Sequence, residues 1–343
     1  MFKAVTDTMK FLGRKTPYYI VASLLSLTTY SQQAAACDAC ALYNASRISG
    51  HLTGSLSLSI NEQYTSYRIA EENAYNTRSA DLTRSYSTTQ LNVGYDLSDN
   101  LGIQGTLPFV VRNFDEVTNY RADEESETGI GDGSIAINYS PVSIRETDQS
   151  VILSFVGGIK LPTGDSGSLS QDSQTETDHA DRVIGPATVQ HHQLSGIPGL
   201  SGRTLSIGTG SVDYILGSTL NTRWDRILML GVAEYSIKSE GSFDYRFANE
   251  LLWNVGPGAY LLLNDDYTII LRCVLSGEHT DRDTHKGNKV PDSAVRNLYL
   301  GPEFIVTLNN RITIELGIDI PFDTEPSAIL PDYRLHSAVS YRF

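Results

Sequence analysis

The feature of this sequence that most constrains its fold is an alternation of apolar and polar residues with a period of two. In RITIELGIDIPF (311–322), aliphatic residues from Ile312 to Ile320 occupy one parity, and polar or small residues occupy the other. Successive side chains of a β-strand point to opposite faces, so this period predicts strands rather than helices. Comparable runs occur around residues 52–66, 85–97, 101–111, 134–140, 150–161, 211–224, 227–238, 245–262, 267–275, 297–308 and 332–343. Together they predict about twelve strands.

The connections between these runs alternate in length. Short turns are predicted at 98–100, 224–226, 264–266 and 309–310, with a modest one near 141–149. Longer loops are predicted near 68–84, 112–131, 163–208 and 278–294, with smaller ones at 239–243 and 322–331. Short turns on one side and long loops on the other are typical of outer-membrane barrels, and an even strand count places both termini in the periplasm.

A water-soluble β-sandwich also alternates apolar and polar residues, and two features favour a membrane barrel over it. The polar parity is rich in Gly, Ser, Asn and paired charges, which suits a wet interior. Aromatic residues stand near strand ends, as interfacial girdles do. These are Tyr95, Phe109, Trp224, Tyr245, Tyr267, Tyr333 and Phe343. The predicted fold is all-β, a single antiparallel transmembrane β-barrel of about 12 strands over residues 51–343.

The N-terminus resembles a secretory signal. Basic residues from Lys3 to Lys15 precede the apolar stretch 18–30, and SQQAAAC follows it. This pattern predicts a signal peptide over residues 1–36 with cleavage after Ala36. A membrane anchor is less favoured, because thirteen residues with several Ser and Thr are too few to span a bilayer. Export, together with the barrel pattern, predicts a location in the outer membrane of a Gram-negative cell.

The net charge and the C-terminus indicate which partners to expect. A formal net charge of −14 argues against nucleic-acid binding. The final stripe, DYRLHSAVSYRF (332–343), places Tyr333, Leu335, Val339, Tyr341 and Phe343 on one parity, which predicts a lipid-facing last strand. The terminal Phe343 resembles the signal by which the barrel assembly machinery recognises its substrates. The predicted partners are therefore that machinery, outer-membrane lipid and lipopolysaccharide.

The mature chain is predicted to begin with CDACALYN, a periplasmic N-terminal segment (37–50) with two thiols at CxxC spacing. Cys37 and Cys40 have the spacing for a local disulfide, for metal chelation or for thiol exchange, and these alternatives stay open. Ala41 follows Cys40, so the haem-attachment signature is absent and no cofactor is predicted. Cys273 falls on the lipid-facing parity, where a packing role is expected.

Charged residues recur on the polar parity of the strands, where they are expected to line the interior. The candidate pore-lining residues are Lys160, Asp213, Arg223, Arg246, Glu250, Arg272, Glu303, Arg311, Glu315, Asp319 and Arg334. Opposing charges inside a barrel either neutralise one another as filling or select the solutes that pass. Twelve strands fit a narrow pore, open or plugged by residues 37–50 or by loop 163–208.

Three stretches resemble motifs of a known family. TGIGDGSIAINYS (128–140), GGIKLPTGD (157–165) and LSIGTGSVDYILG (205–217) are similar to stretches of the outer-membrane transporter family linked to the MetA pathway of phenol degradation. The residues that carry the resemblance are Gly131, Asp132, Leu161, Pro162, Thr163, Gly164, Gly208, Thr209, Gly210, Ser211 and Asp213. The resemblance implies a barrel from about residue 50 onward that transports small molecules.

The sequence thus predicts a passive outer-membrane channel or transporter for small solutes, and not an enzyme. The resemblance points to aromatic or hydrophobic compounds, whereas the charged interior points to polar ones. One alternative is a barrel scaffold or sheath for a periplasmic redox or metal-handling partner, docked through Cys37 and Cys40. A second alternative is an outer-membrane lipid-modifying enzyme, which requires a Ser, a His and an acid near the outer rim.

Overall fold

The computed structural model describes residues 53–69, 81–118, 121–170, 205–264, 266–290, 293–324 and 329–343. The predicted signal peptide and the segment with Cys37 and Cys40 lie outside these ranges. Within them, no helix is both long enough and apolar enough to cross a membrane.

The described chain is built almost entirely from β-strands. They are β1 (Leu56–Ile69), β2 (Asp81–Ser98), β3 (Leu101–Thr118), β4 (Arg121–Ile130), β5 (Ser134–Arg145), β6 (Gln149–Lys160), β7 (Asp213–Trp224), β8 (Ile227–Ile237), β9 (Tyr245–Arg246), β10 (Glu250–Leu263), β11 (Tyr267–Thr280), β12 (Thr284–His285), β13 (Asn288–Lys289), β14 (Val295–Leu308), β15 (Ile312–Thr324) and β16 (Ile329–Arg342). Single 3₁₀ turns occur at Gly167–Leu169 and Ser242–Asp244.

Twelve of these strands close into one antiparallel barrel, which confirms the predicted fold. Each pairs with its neighbours, and β1 pairs with β16 from Ser57↔Arg342 onward, so the wall has no free lateral edge. Short turns join β2 to β3, β5 to β6, β7 to β8, β10 to β11 and β14 to β15 at one end, which we call the turn end. The longer connections lie at the opposite end, the loop end.

The prediction of a loop at 112–131 is wrong. β3 runs on to Thr118, and β4 pairs with it from Phe109↔Ile130 to Thr118↔Arg121. β5 then takes over the pairing with β3 at Leu101–Thr106. A hairpin satisfies its own backbone hydrogen bonds, so β3 and β4 continue beyond the barrel wall without needing an apolar stripe.

The barrel wall has two chemically different faces. Aliphatic side chains such as Ile60 (53% exposed) and Val339 (51% exposed) point outward. The intervening residues point inward and are buried, as Asn61 is at 2% exposed. Aliphatic residues are therefore not sealed between two layers, as a sandwich requires. The outward stripe of β16 lies on the parity that the sequence predicts, with Leu335 exposed and Arg334 and His336 buried.

Exposed aromatic side chains ring the turn end of this outer face. They are Tyr95, Tyr139, Trp224, Tyr267 and Phe343. Such a ring suits a membrane–water interface, because the aromatic body is apolar while phenol and indole also make polar contacts.

Cys273 also faces outward, as its parity predicts.

Tyr245, predicted as a girdle residue, lies elsewhere. It is 1% exposed and packs with Leu169, Phe247 and Val290 in an apolar cluster at the loop end. Its hydroxyl donates to Asp283 Oδ2 at 2.7 Å. The cluster joins the β6–β7, β8–β10 and β11–β14 connections, and β9, β12 and β13 form a small sheet beside it. Loop packing, which alternation does not reveal, explains the different position.

Candidate functional site

The charged side chains inside the barrel form two groups. The loop-end cluster consists of Asp132, Lys160, Asp213, Lys238 and Glu250. The mid-barrel cluster consists of Arg272, Glu303, Glu315, Asp319 and His336 and lies on the central parts of β11, β14, β15 and β16. All ten side chains point away from the exposed aliphatic face.

The loop-end cluster is a chain of alternating charges that runs from the turn before β5 across the loop-side ends of β6, β7, β8 and β10. Lys160 Nζ lies 2.8 Å from Asp132 Oδ2 and 2.8 Å from Asp213 Oδ2. Lys238 Nζ lies 3.8 Å from Asp213 Oδ2 and 3.6 Å from Glu250 Oε2. Each carboxylate thus faces an ammonium group in a setting with little water to screen the attraction.

The three motif stretches of the sequence meet at this cluster. A Cβ added to Gly164 would lie 2.9 Å from the carbonyl carbon of Gly131 and 2.9 Å from Gly208 Cα. A Cβ on Gly208 would lie 2.4 Å from the carbonyl carbon of Gly164. The backbones approach too closely for any side chain, so glycine is required at both positions.

Asp132 ties these stretches together. Its Oδ2 accepts hydrogen bonds from the Thr209 N–H at 2.9 Å and the Thr209 hydroxyl at 2.7 Å. Its Oδ1 accepts from the Gly164 N–H at 2.9 Å. Burial acts to raise the pKa of this carboxyl, but the Lys160 charge and the hydrogen bonds from Lys160, Thr209 and Gly164 outweigh it and lower the pKa below its ordinary value. Asp132 therefore anchors both ends of the 161–212 connection as an ionised group.

The mid-barrel cluster follows one row of cross-strand partners. Arg272 faces Glu303, Glu303 faces Gly317, and Gly317 faces His336. Arg272 Nη1 donates to Glu303 Oε1, while Glu303 Oε2 lies 3.6 Å from His336 Nε2. A Cβ at position 317 would lie 1.9 Å from His336 Nε2. The missing side chain of Gly317 leaves the space that the imidazole occupies.

Two further acids flank this row on β15. A carboxylate oxygen of Glu315, one of Glu303 and a ring nitrogen of His336 all lie within 4.8 Å of one another. On the other side, His336 Nδ1 lies 3.9 Å from Asp319 Oδ2, which also accepts from the Ser276 hydroxyl at 3.4 Å. The imidazole is thus enclosed by carboxylates, a donor set that suits a cation.

Arg334 links the mid-barrel region to the loop-end side of β11 and β14. Its Nη2 donates to Glu278 Oε2 at 3.0 Å and to the Tyr299 hydroxyl at 3.3 Å. Its guanidinium carbon lies 4.3 Å from the centroid of the Tyr299 ring, a cation–π distance. These contacts hold a positive charge at a fixed place in the interior.

Of the eleven candidate pore-lining residues, eight lie in the barrel interior and three lie elsewhere. Eight are buried on the inward face: Lys160, Asp213, Glu250, Arg272, Glu303, Glu315, Asp319 and Arg334. Arg223 lies at the turn end, where Nη2 donates to the Thr147 carbonyl at 2.8 Å. Arg311 is exposed at the turn before β15, and Arg246 is exposed in β9, outside the barrel wall.

Four residues of the interior network are absent from the sequence-based set of charged lining residues. They are Asp132, Lys238, Glu278 and His336. Lys238, Glu278 and His336 continue the polar parity of β8, β11 and β16, so the period alone supplies a signal for them. Their partners depend on strand register, which single-strand alternation does not define.

No protein-family model and no curated protein sequence matches the chain. Among solved structures, an outer membrane channel from Pseudomonas putida F1 is similar, with 12% identity, coverage of 87% of this chain and 98% of that chain, and a TM-score of 0.56. The transport unit of the autotransporter AIDA-I from Escherichia coli is more distant, with 8% identity, coverage of 84% and 90%, and a TM-score of 0.41. The first comparison shows a shared barrel fold.

Proposed function

We propose that this protein is a passive channel for small solutes in the outer membrane rather than an enzyme. The observation that carries the proposal is the two-faced closed wall, with exposed aliphatic side chains outside and buried charged side chains inside. Such a wall matches lipid on one side and a polar path on the other. The similar fold of an outer membrane channel supports the same function.

The outer surface supports the proposed location and partners. Exposed aliphatic and aromatic side chains suit acyl chains and headgroups of outer-membrane lipid and lipopolysaccharide. At the C-terminus, the Tyr341 and Phe343 rings lie 4.6 Å apart, and Phe343 is exposed. Its backbone N–H donates to the Leu56 carbonyl at 2.9 Å, which fixes the last residue to the first strand. This terminus is our candidate signal for the barrel assembly machinery.

The interior favours small polar solutes. Asp213 and Glu303 are 0% and 1% exposed, so the two clusters leave little room for water around these carboxylates. An apolar solute passing them would replace remaining water without offering hydrogen bonds, which is costly next to buried charges. A polar solute offers such bonds. We therefore propose two constrictions, one at each cluster, that select against hydrocarbons.

The meeting of the three motif stretches at Asp132 supports membership in the transporter family of the MetA pathway. Several of the shared residues have a structural task there: Gly164 and Gly208 allow close backbone contact, and Asp132 and Thr209 cross-link the segments. The aromatic solutes that this family implies remain a prediction, which the permeation assay below tests against polar solutes.

Swelling of proteoliposomes measures permeation without assuming a solute. Refolded protein would be inserted into vesicles, which are then diluted into sugars, amino acids and aromatic acids of graded size. We expect swelling with the smallest polar solutes and a steep decrease with size. A Cys37→Ser/Cys40→Ser variant should swell at the same rate, because a simple channel does not need the thiols. Rates equal to those of protein-free vesicles for every solute would overturn the proposal and favour the scaffold alternative.

A further inference from the structure

We propose that Glu303, Glu315 and His336 form a binding site for one divalent transition-metal ion of the Zn²⁺ class inside the barrel. Two carboxylate oxygens and one imidazole nitrogen are donors that Zn²⁺ accepts, and a water molecule or solute completes four-coordination. The site lies among the central residues of β14, β15 and β16 and is separate from the loop-end cluster.

The three donors are close enough to meet on one ion. They lie within 4.8 Å of one another. Bonds of about 2.0–2.2 Å in a tetrahedral site require donor atoms about 3.4 Å apart, so no pair of donor atoms has to approach by more than about 1.4 Å. All three emerge from paired strands of a rigid wall, and rotation about side-chain bonds supplies a movement of this size.

Glu315 provides an independent reason for a cation. Its side chain is 3% exposed and makes no hydrogen bond or ion pair with any residue that the structure describes. The Arg272 charge attracts the Glu315 carboxylate, but Arg272 is already paired with Glu303. The Glu303 charge repels the Glu315 carboxylate. Buried carboxylates are normally paired, hydrogen-bonded or coordinated to a metal. A divalent ion between Glu315 and Glu303 supplies the missing positive charge.

The surroundings orient the ligands as metal sites require. Arg272 holds Glu303 Oε1, which leaves Oε2 turned toward His336. Asp319 stands on the Nδ1 side of the imidazole, and Nε2 is directed at Glu303. A carboxylate behind a histidine is the usual arrangement that fixes a metal-bound imidazole. Gly317 leaves room for the ring in this position.

Metal titration of the refolded full-length protein in detergent tests the site without relying on permeation. A Cys37→Ser/Cys40→Ser background removes the thiols, which would bind Zn²⁺ themselves. Calorimetry with Zn²⁺ should show one site per chain, and Co²⁺ should develop visible absorption of four-coordinate geometry. Glu315→Gln and His336→Ala should each weaken binding at least tenfold.

Matched controls separate this site from other metal-binding groups. His279→Ala removes an outward-facing imidazole of β11, and Glu146→Gln removes an exposed carboxylate of the turn end. Both should leave Zn²⁺ affinity unchanged. Glu315→Gln keeps the shape of the side chain, so a lower Zn²⁺ affinity in this variant reflects the lost carboxylate rather than a cavity in the barrel interior. Equal affinity and equal Co²⁺ spectra in the background protein, Glu315→Gln and His336→Ala would overturn the proposal, as would no binding to the background protein.

Discussion

Glu303 and His336 meet across Gly317, with Oε2 and Nε2 3.6 Å apart, although β15 separates their strands. The contact exists because the residue between them has no side chain. It joins an ion pair on β11 and β14 to an imidazole on β16, so three interstrand seams share one polar network. The charged interior is therefore continuous over a third of the barrel circumference.

Gly317→Ala should destabilise the barrel. The new Cβ would lie 1.9 Å from His336 Nε2, so the imidazole has to leave its place or the strands have to separate. Overpacking of this kind costs about 1–3 kcal/mol. The measurement is urea unfolding in lipid vesicles. Gly157→Ala is the matched control, because a Cβ there meets nothing within 4 Å; an equal loss in both variants would contradict the prediction.

Lys160→Met should lower the free energy of unfolding more than loss of the partly exposed cation Arg223 does. It leaves the buried carboxylates of Asp132 and Asp213 without their shared partner. Removing one member of a buried ion pair typically costs about 3–5 kcal/mol. Arg223→Met, at the turn end, should cost less than about 1 kcal/mol. The measurement is the free energy of unfolding of Lys160→Met and of Arg223→Met. Similar values would show that the loop-end cluster does not stabilise the barrel.

Acid should weaken the loop-end cluster through Asp132. The folded-state pKa of this carboxyl is lower than its ordinary value, so the contribution to stability is complete above the ordinary value near 4 and is lost as the pH falls through the folded-state pKa. Asp132→Asn removes that contribution. Unfolding free energies measured from pH 6 downward should therefore decline more steeply below about pH 4 in the wild type than in the variant. Parallel curves would refute this role.

Arg334→Lys should disturb the interior despite conserving the charge. The guanidinium bonds Glu278 and Tyr299 and lies over the Tyr299 ring, which an ammonium group does not reproduce with the same geometry. We expect a loss of about 1–2 kcal/mol in unfolding free energy. Arg311→Lys, at an exposed turn, serves as the control and should change little. A variant as stable as the control would mean that only the charge matters.

The alternation of side chains predicts the barrel because each strand of the wall must suit lipid on one face and a polar interior on the other. Ile312 to Ile320 follow this rule without interruption. The rule fails for the β3–β4 hairpin, whose strands pair with each other beyond the part of β3 that pairs with β5. It also fails for Tyr245, whose burial comes from loop packing. The alternation also does not show which interior side chains contact each other. Glu303 and His336 both appear on the polar parity, but only the register through Gly317 brings them together.

Single-channel recording of the refolded protein in planar lipid bilayers tests whether the charged interior of the barrel conducts ions. A barrel whose charged interior is a narrow polar path should give discrete, small current steps in potassium chloride, and Glu303→Gln should change the ion selectivity while Glu146→Gln should not. A protein that inserts into the bilayer but passes no current at any voltage or salt concentration would show that the barrel is not a channel.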